Sequence, residues 1–193
     1  MVSAMPVLAE KVIKKPFVGL RPVPVALVSC GHGEKANVLT IAWMGVLCSD
    51  PPQVGIGVRP SRHSHALIRE SGEFVINLVQ QDLLDQVEYC GFLSGREADK
   101  FAGAGLTRAP GSAVKAPIIV ECPINLECRV KHHLPLGSHD LFVGEVVAVQ
   151  VSRSVLDERG WVDNSKLRPI LFTGDQYWGV GELLGRYGFR KAG

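Results

Sequence analysis

The chain has 193 residues, 46% of them hydrophobic and 21% charged, which suits one folded domain with its own core and excludes a disordered chain. Lysine plus arginine total 21 against 19 for aspartate plus glutamate, and a formal charge of +2 offers no broad basic face for nucleic acid. No apolar run approaches the ~20 residues that cross a bilayer, and Lys11, Lys14 and Lys15 lead into Pro16 rather than into the apolar stretch of a signal peptide.

Residues 1–15 read as an N-terminal arm. Val23 to Cys30 is apolar and β-branched, and it ends at the turn Gly31-His32-Gly33. Gly31 to Ala36 matches G-x-G-x-x-A, but that fingerprint holds a pyrophosphate only when a helix comes next. The next residues are the β-prone Asn37-Val38-Leu39-Thr40-Ile41, so the glycines are expected to serve a hairpin turn. Asn37 to Ser49 places Asn37, Thr40, Trp43, Cys48 and Ser49 among small residues such as Ala42. Small side chains let backbone amides approach a flat ring; the same segment also reads as a bent strand with Trp43 in the core.

Gln53 to Val58 is a strand candidate. Next comes Arg59-Pro60-Ser61-Arg62-His63-Ser64, two arginines and two serines where a strand ends and a helix opens. Unpaired N–H groups at a helix start, hydroxyls and an arginine fork are what a phosphate needs. The other reading is an N-capping Ser61 with solvated arginines. The helix is expected over Ser61 to Glu70, with Ala66 and Leu67 inward and Gly72 as its stop. Phe74 to Val79 is a further strand, Leu83 to Tyr89 a second helix and Arg96 to Ala102 a short third, which sets Lys100 beside Phe101.

Ile118 to Arg129 forms one or two strands interrupted at Pro123. Cys122, Cys128, His132 and His133 lie close in sequence but lack paired C-x-x-C spacing, and a strand sends successive residues to opposite faces; no metal site is expected. Gly137-Ser138-His139-Asp140 is a turn before the clearest strand, Leu141 to Val151. His139 either meets a bound reductant or is an ordinary turn histidine. No G-x-S-x-G is present. The five cysteines are odd in number and scattered, which points to reduced thiols in a cytoplasm. The whole pattern is mostly antiparallel β with a few helical connections, best met by a small closed barrel with helices at its ends.

Taken together, several stretches resemble the flavin reductase-like, FMN-binding split-barrel family, and its flavoredoxin branch most closely. They are Arg21 to Ser29, Ala36 to Trp43, Cys48-Ser49-Asp50-Pro51-Pro52, Gly72 to Leu78, Asp99-Lys100-Phe101, Glu121 to Cys128 and Gly137 to Val146, with weaker likeness on to Gly185-Arg186-Tyr187-Gly188-Phe189. The resemblance implies a mainly β Greek-key split barrel with a few peripheral helices, residues 1–193 forming one FMN-binding domain that homodimerises. It implies an FMN ring against Asn37, Thr40, Ala42, Trp43, Cys48 and Ser49. It implies a phosphate near Arg59, Ser61, Arg62 and Ser64, Lys100 near the flavin, and His139 where a nicotinamide stacks. The family's common Gly-Asp-His is Gly137-Ser138-His139 here, a departure that bears on nicotinamide more than on flavin. The implied function is transfer of electrons from NAD(P)H through FMN, rather than FAD, to an acceptor, without a protein acid or base. The alternatives are a flavoredoxin-type carrier reduced by a protein partner and a non-enzymatic FMN-binding protein.

Overall fold

In the computed structural model, which describes residues 11–185 and Tyr187, hydrophobic alternation builds one seven-stranded antiparallel sheet. The first ten residues of the expected arm and most of the Gly185–Phe189 tail lie outside the described residues. The sheet is formed by β2 (Ala26–Cys30), β3 (Asn37–Ile41), β4 (Met44–Ser49), β5 (Pro52–Val58), β6 (Glu73–Leu78), β9 (Ile124–Pro135) and β10 (Asp140–Val151). Their order is β3-β2-β6-β9-β10-β5-β4. Its two end strands, β3 and β4, are separated in the chain only by Ala42 and Trp43. A residue spans at most ~3.6 Å, so the sheet must curl until its ends meet. The Gly57 N–H donates to the Trp43 carbonyl at 2.7 Å and carries the β4–β5 pairing into that corner.

Two small sheets complete the β structure of the described residues: β1 (Val23–Pro24) with β11 (Ile170–Phe172) and β12 (Tyr177–Gly179), and β7 (Arg108–Ala109) with β8 (Ile118–Ile119). Among the described residues four helices pack outside: α1 (His63–Ser71), α2 (Leu84–Phe92), α3 (Lys100–Ala104) and α4 (Asn164–Leu167). Alternation on β2 explains the two main cores. Ala26, Val28 and Cys30 face the barrel interior with Ile56, Phe74 and Phe142. Leu27 faces the other way, onto Val38, Val87, Phe101 and Ile119 beneath α2 and α3. A strand buried on both faces reads as a continuous apolar run, as this one does.

The strands expected at Gln53–Val58, Phe74–Val79 and Leu141–Val151 match β5, β6 and β10 to within one residue at each end. Pro123 separates β8 from β9. The G-x-G-x-x-A segment makes a short 3-10 turn at Gly33–Lys35 and then enters β3, so no helix receives a pyrophosphate. Elsewhere the expectations shift. The run Val23–Cys30 splits at Val25, because β1 leaves the barrel to pair with β11. The first helix starts at His63 rather than Ser61; it buries Leu67 and Ile68 but leaves Ala66 exposed, and it stops at Gly72. The third begins at Lys100 instead of Arg96, because the Asp99 carboxylate caps it by accepting the Phe101 and Ala102 N–H groups. One polar device fixes the loop before β8. Glu127, fully buried on β9, accepts hydrogen bonds from the Ser112, Ala113 and Val114 N–H groups and from Gln150. Burial alone would raise its pKa, but these bonds outweigh it and bring it down to about 2.

Candidate functional site

Where the barrel is split, β3, the Ala42–Trp43 corner, the β5–α1 turn and the C-terminal end of α2 enclose a cleft made of two adjoining basins. One has a volume of 430 Å³ and is polar, the other 240 Å³ and is more apolar. Leu39, Thr40, Arg59, Arg62 and Gly91 line both, so they form one continuous space in the size range of small-molecule sites, ~300–1,000 Å³.

The polar basin gathers Arg59, Ser61, Arg62, Ser64 and Lys100. Asn37, buried at the start of β3, donates from its amide to the Ser64 hydroxyl at 2.7 Å and so holds that oxygen in place. This fit requires Gly95: a Cβ there would lie 2.3 Å from Asn37 Oδ1. Lys100 is 4% exposed, and its Nζ donates to the Cys90 carbonyl at 2.9 Å. Burial lowers the Lys100 pKa, and the Arg62 guanidinium lowers it further. His63 is lowered by burial and then by Arg96 and Lys100. Cations this close disfavour one another and favour an anion among them. Burial pushes the Cys90 thiol up to about 11, so it stays protonated beside Lys100 near neutral pH.

The second basin has flat walls. The His139 ring lies on Trp43 with centroids 5.6 Å apart and planes 6° from parallel. Burial lowers the His139 pKa, and Arg59 adds to the effect, so the ring is neutral near pH 7. Ala42 and Gly57 keep the floor low, while Phe172 and Tyr177 close the far side. The Tyr177 hydroxyl donates to Glu88 of α2 at 2.7 Å and ties the small sheet across the cleft. The Thr40 hydroxyl is turned to the Val87 carbonyl.

Asn37, Thr40, Ala42, Trp43, Arg59, Ser61, Arg62, Ser64, Lys100 and His139 therefore line this one space. Cys48 and Ser49 do not. A bulge between Val46 and Cys48 and the turn after it carry the far end of β4 away, and Cys48 Sγ donates to the Asp50 carbonyl instead. Sequence reasoning missed Gly91, Ser94 and Gly95 after α2, and Phe172 and Tyr177. It also missed Arg96, which donates to the Ser61 carbonyl at 3.0 Å and braces the Arg59–Arg62 turn. No local motif marks them, since only the fold brings them here. No described helix is long and apolar enough to cross a membrane.

Residues 18–181 match the family model described as flavin reductase like domain. A relative in Archaeoglobus fulgidus is 41% identical over 130 residues, 67% of this chain and 73% of its own length. Among solved structures, the flavoredoxin from Methanosarcina acetivorans is 32% identical with a TM-score of 0.88, covering 95% of this chain and 98% of that one. An FMN-binding protein from Thermus thermophilus, solved with bound 1-cyclohex-2-enone, is 27% identical with a TM-score of 0.78, covering 93% and 99%. A cation-lined basin beside a flat apolar one fits the phosphate and ring of a flavin. By the family match over most of its length, this chain belongs to the flavin reductase-like family of flavin-binding redox proteins.

Proposed function

We propose that this protein is an FMN-binding oxidoreductase that passes electrons from NAD(P)H through the flavin to an acceptor. The observation that carries this reading is the continuous cleft, in which a cation-lined basin opens directly onto a flat-walled basin. In this reading the phosphate sits where Arg59, Arg62, Lys100, Ser61 and Ser64 gather, and the likeness to a solved FMN-binding protein supports FMN rather than FAD. Bound FMN supplies hydride acceptance and electron transfer. Arg59, Arg62, Lys100, Ser61 and Ser64 would hold the phosphate, and Trp43, Phe172 and Tyr177 would orient the ring and limit its contact with water. No side chain of the cleft needs to act as acid or base. In this reading residues 1–193 form one flavin-binding domain acting as a homodimer, a reading supported by exposed Val18, Leu20 and Leu47, which line an apolar surface beside Trp43 and His139. Free cysteines agree with a cytoplasmic setting.

The test is an absorbance spectrum of the protein with FMN, before and after anaerobic NADH or NADPH. Flavin bands that bleach quickly support the reading; failure to take up FMN refutes it. A second reading, an electron carrier reduced by a protein partner, is favoured by Ser138 in place of the family's aspartate and by His139 already packed on Trp43. Bands that persist with nicotinamide but bleach with dithionite select it.

A further inference from the structure

Outside the cleft, the hairpin of β9 and β10 meets α1 through three side chains that the flavin reading does not use. In the hairpin register His133 faces Phe142 and Asp140 faces Pro135, so His133, Asp140 and Phe142 point to the same face of the sheet. His65, from the first turns of α1, comes down onto that face and packs edge-on against both the His133 and Phe142 rings. The His133 ring lies flat on Phe142, with centroids 4.5 Å apart and planes 4° from parallel. His65 Nε2 is 2.8 Å and His133 Nε2 2.7 Å from the same oxygen, Asp140 Oδ2. His65 and Asp140 are buried, whereas the His133 side chain is 30% exposed. His132 belongs to the opposite face.

We propose that His65, His133 and Asp140 form a binding site for a divalent transition-metal ion of the zinc class, with three protein ligands and a coordination position open to solvent beside His133. Two imidazoles and one carboxylate are a donor set that such ions select over calcium or magnesium, and three protein ligands plus water is the pattern of an open zinc site. The three donor atoms already lie within 4.8 Å of one another. At zinc bond lengths of ~2.0–2.2 Å, tetrahedral ligands sit about 3.3 Å apart, so the two His–Asp contacts open by about half an ångström while the two imidazole nitrogens, at most 4.8 Å apart, adjust to the same spacing. His133, on an exposed stretch of hairpin, can move that far. Two rings that donate Nε2–H to Oδ2 carry no proton on Nδ1 when neutral. Metal binding moves each proton from Nε2 to Nδ1, leaves both Nε2 lone pairs free to ligate, and needs no net proton release. A bound ion would join α1, which carries Ser64 of the anion basin, to the hairpin turn that carries His139.

The test uses the full chain as purified, stripped with a chelator and kept reduced with a phosphine, and does not depend on the flavin reading. Zinc affinity is measured by competition with a chromophoric chelator, and cobalt is added separately to record its visible spectrum. The expected result is one zinc per chain, lost by at least about 100-fold in His133→Ala and in Asp140→Asn, and unchanged in His132→Ala. Cobalt should give d–d bands without the near-ultraviolet absorption of a thiolate ligand. Wild-type protein that binds zinc no better than His133→Ala, or cobalt that shows thiolate absorption, would overturn the proposal. The first outcome would leave the cluster as a hydrogen-bonded clamp, and the second would put the ion on the cysteines. If a variant fails to fold, thiolate absorption in the wild-type cobalt spectrum, or failure of the wild-type chain to bind zinc, still overturns the proposal.

Discussion

Replacing Arg59 with alanine should weaken FMN binding in a way that riboflavin binding does not share. Arg59 lines both basins and is exposed at their junction, while Arg62 and Lys100 remain when it is removed. A hydrogen bond to a charged group contributes about 1.5–3 kcal/mol. Exposure and salt screening, with a Debye length of about 8 Å at physiological ionic strength, place this one near the lower end, at about 1.5–2 kcal/mol. Each 1.4 kcal/mol is about tenfold in Kd, so the expected loss is roughly 10–30-fold for FMN. Riboflavin has the same ring and ribityl chain but no phosphate, and its Kd should change less than about twofold. The assay is quenching of flavin fluorescence on titration of apoprotein, at two salt concentrations. Equal losses for FMN and riboflavin, or no loss for either, would refute the assignment of the polar basin to phosphate.

Trp43→Ala should do the opposite, since it removes a ring wall: an aromatic stack of about 1 kcal/mol predicts a loss of about fivefold, equal for FMN and riboflavin in the same titration. Gly95→Ala puts a Cβ 2.3 Å from Asn37 Oδ1; it should shift Ser64, weaken FMN at least about fivefold and cost about 1–3 kcal/mol by thermal melting. Glu127 has a folded pKa of about 2 against an ordinary 4.5, so its stabilisation is present above pH 4.5 and is lost as pH falls toward 2. Glu127→Gln should therefore lower stability in urea by about 2–3 kcal/mol at pH 7 and narrow the difference from wild type at pH 3.

The strands of the barrel were legible because their information is local. Val143, Val147 and Val149 announce β10 by alternation, and Pro123 announces a break. The Arg59–Ser64 cluster was legible for the same reason, as donors gathered at one strand–helix junction. Tyr177 and Phe172 were not, because strands of three residues exist only through pairing, here of β11 with β1 some 150 positions earlier. Gly95 looks like any loop glycine until Asn37 is packed against it. The meeting of His65, His133 and Asp140 was hidden more deeply: the sequence correctly separates His132 from His133, but nothing in it says that α1 lies over the His133 face. Cys48 and Ser49 fall outside the cleft because a single extra residue in β4 redirects everything after it, which no local pattern announces.

The cleft is walled by residues from Val25 to Tyr177, and its last wall is held by the Tyr177–Glu88 hydrogen bond. A chain emerging from the ribosome completes the barrel strands once Val151 is out, yet the ring basin still lacks Phe172 and Tyr177. Synthesis runs N-terminal first at about 5–20 residues per second, so the basin stands open on one side for one to several seconds. The ring basin is thereby completed only after the barrel, and a chain truncated before residue 170 would keep its barrel strands while losing one side of the pocket.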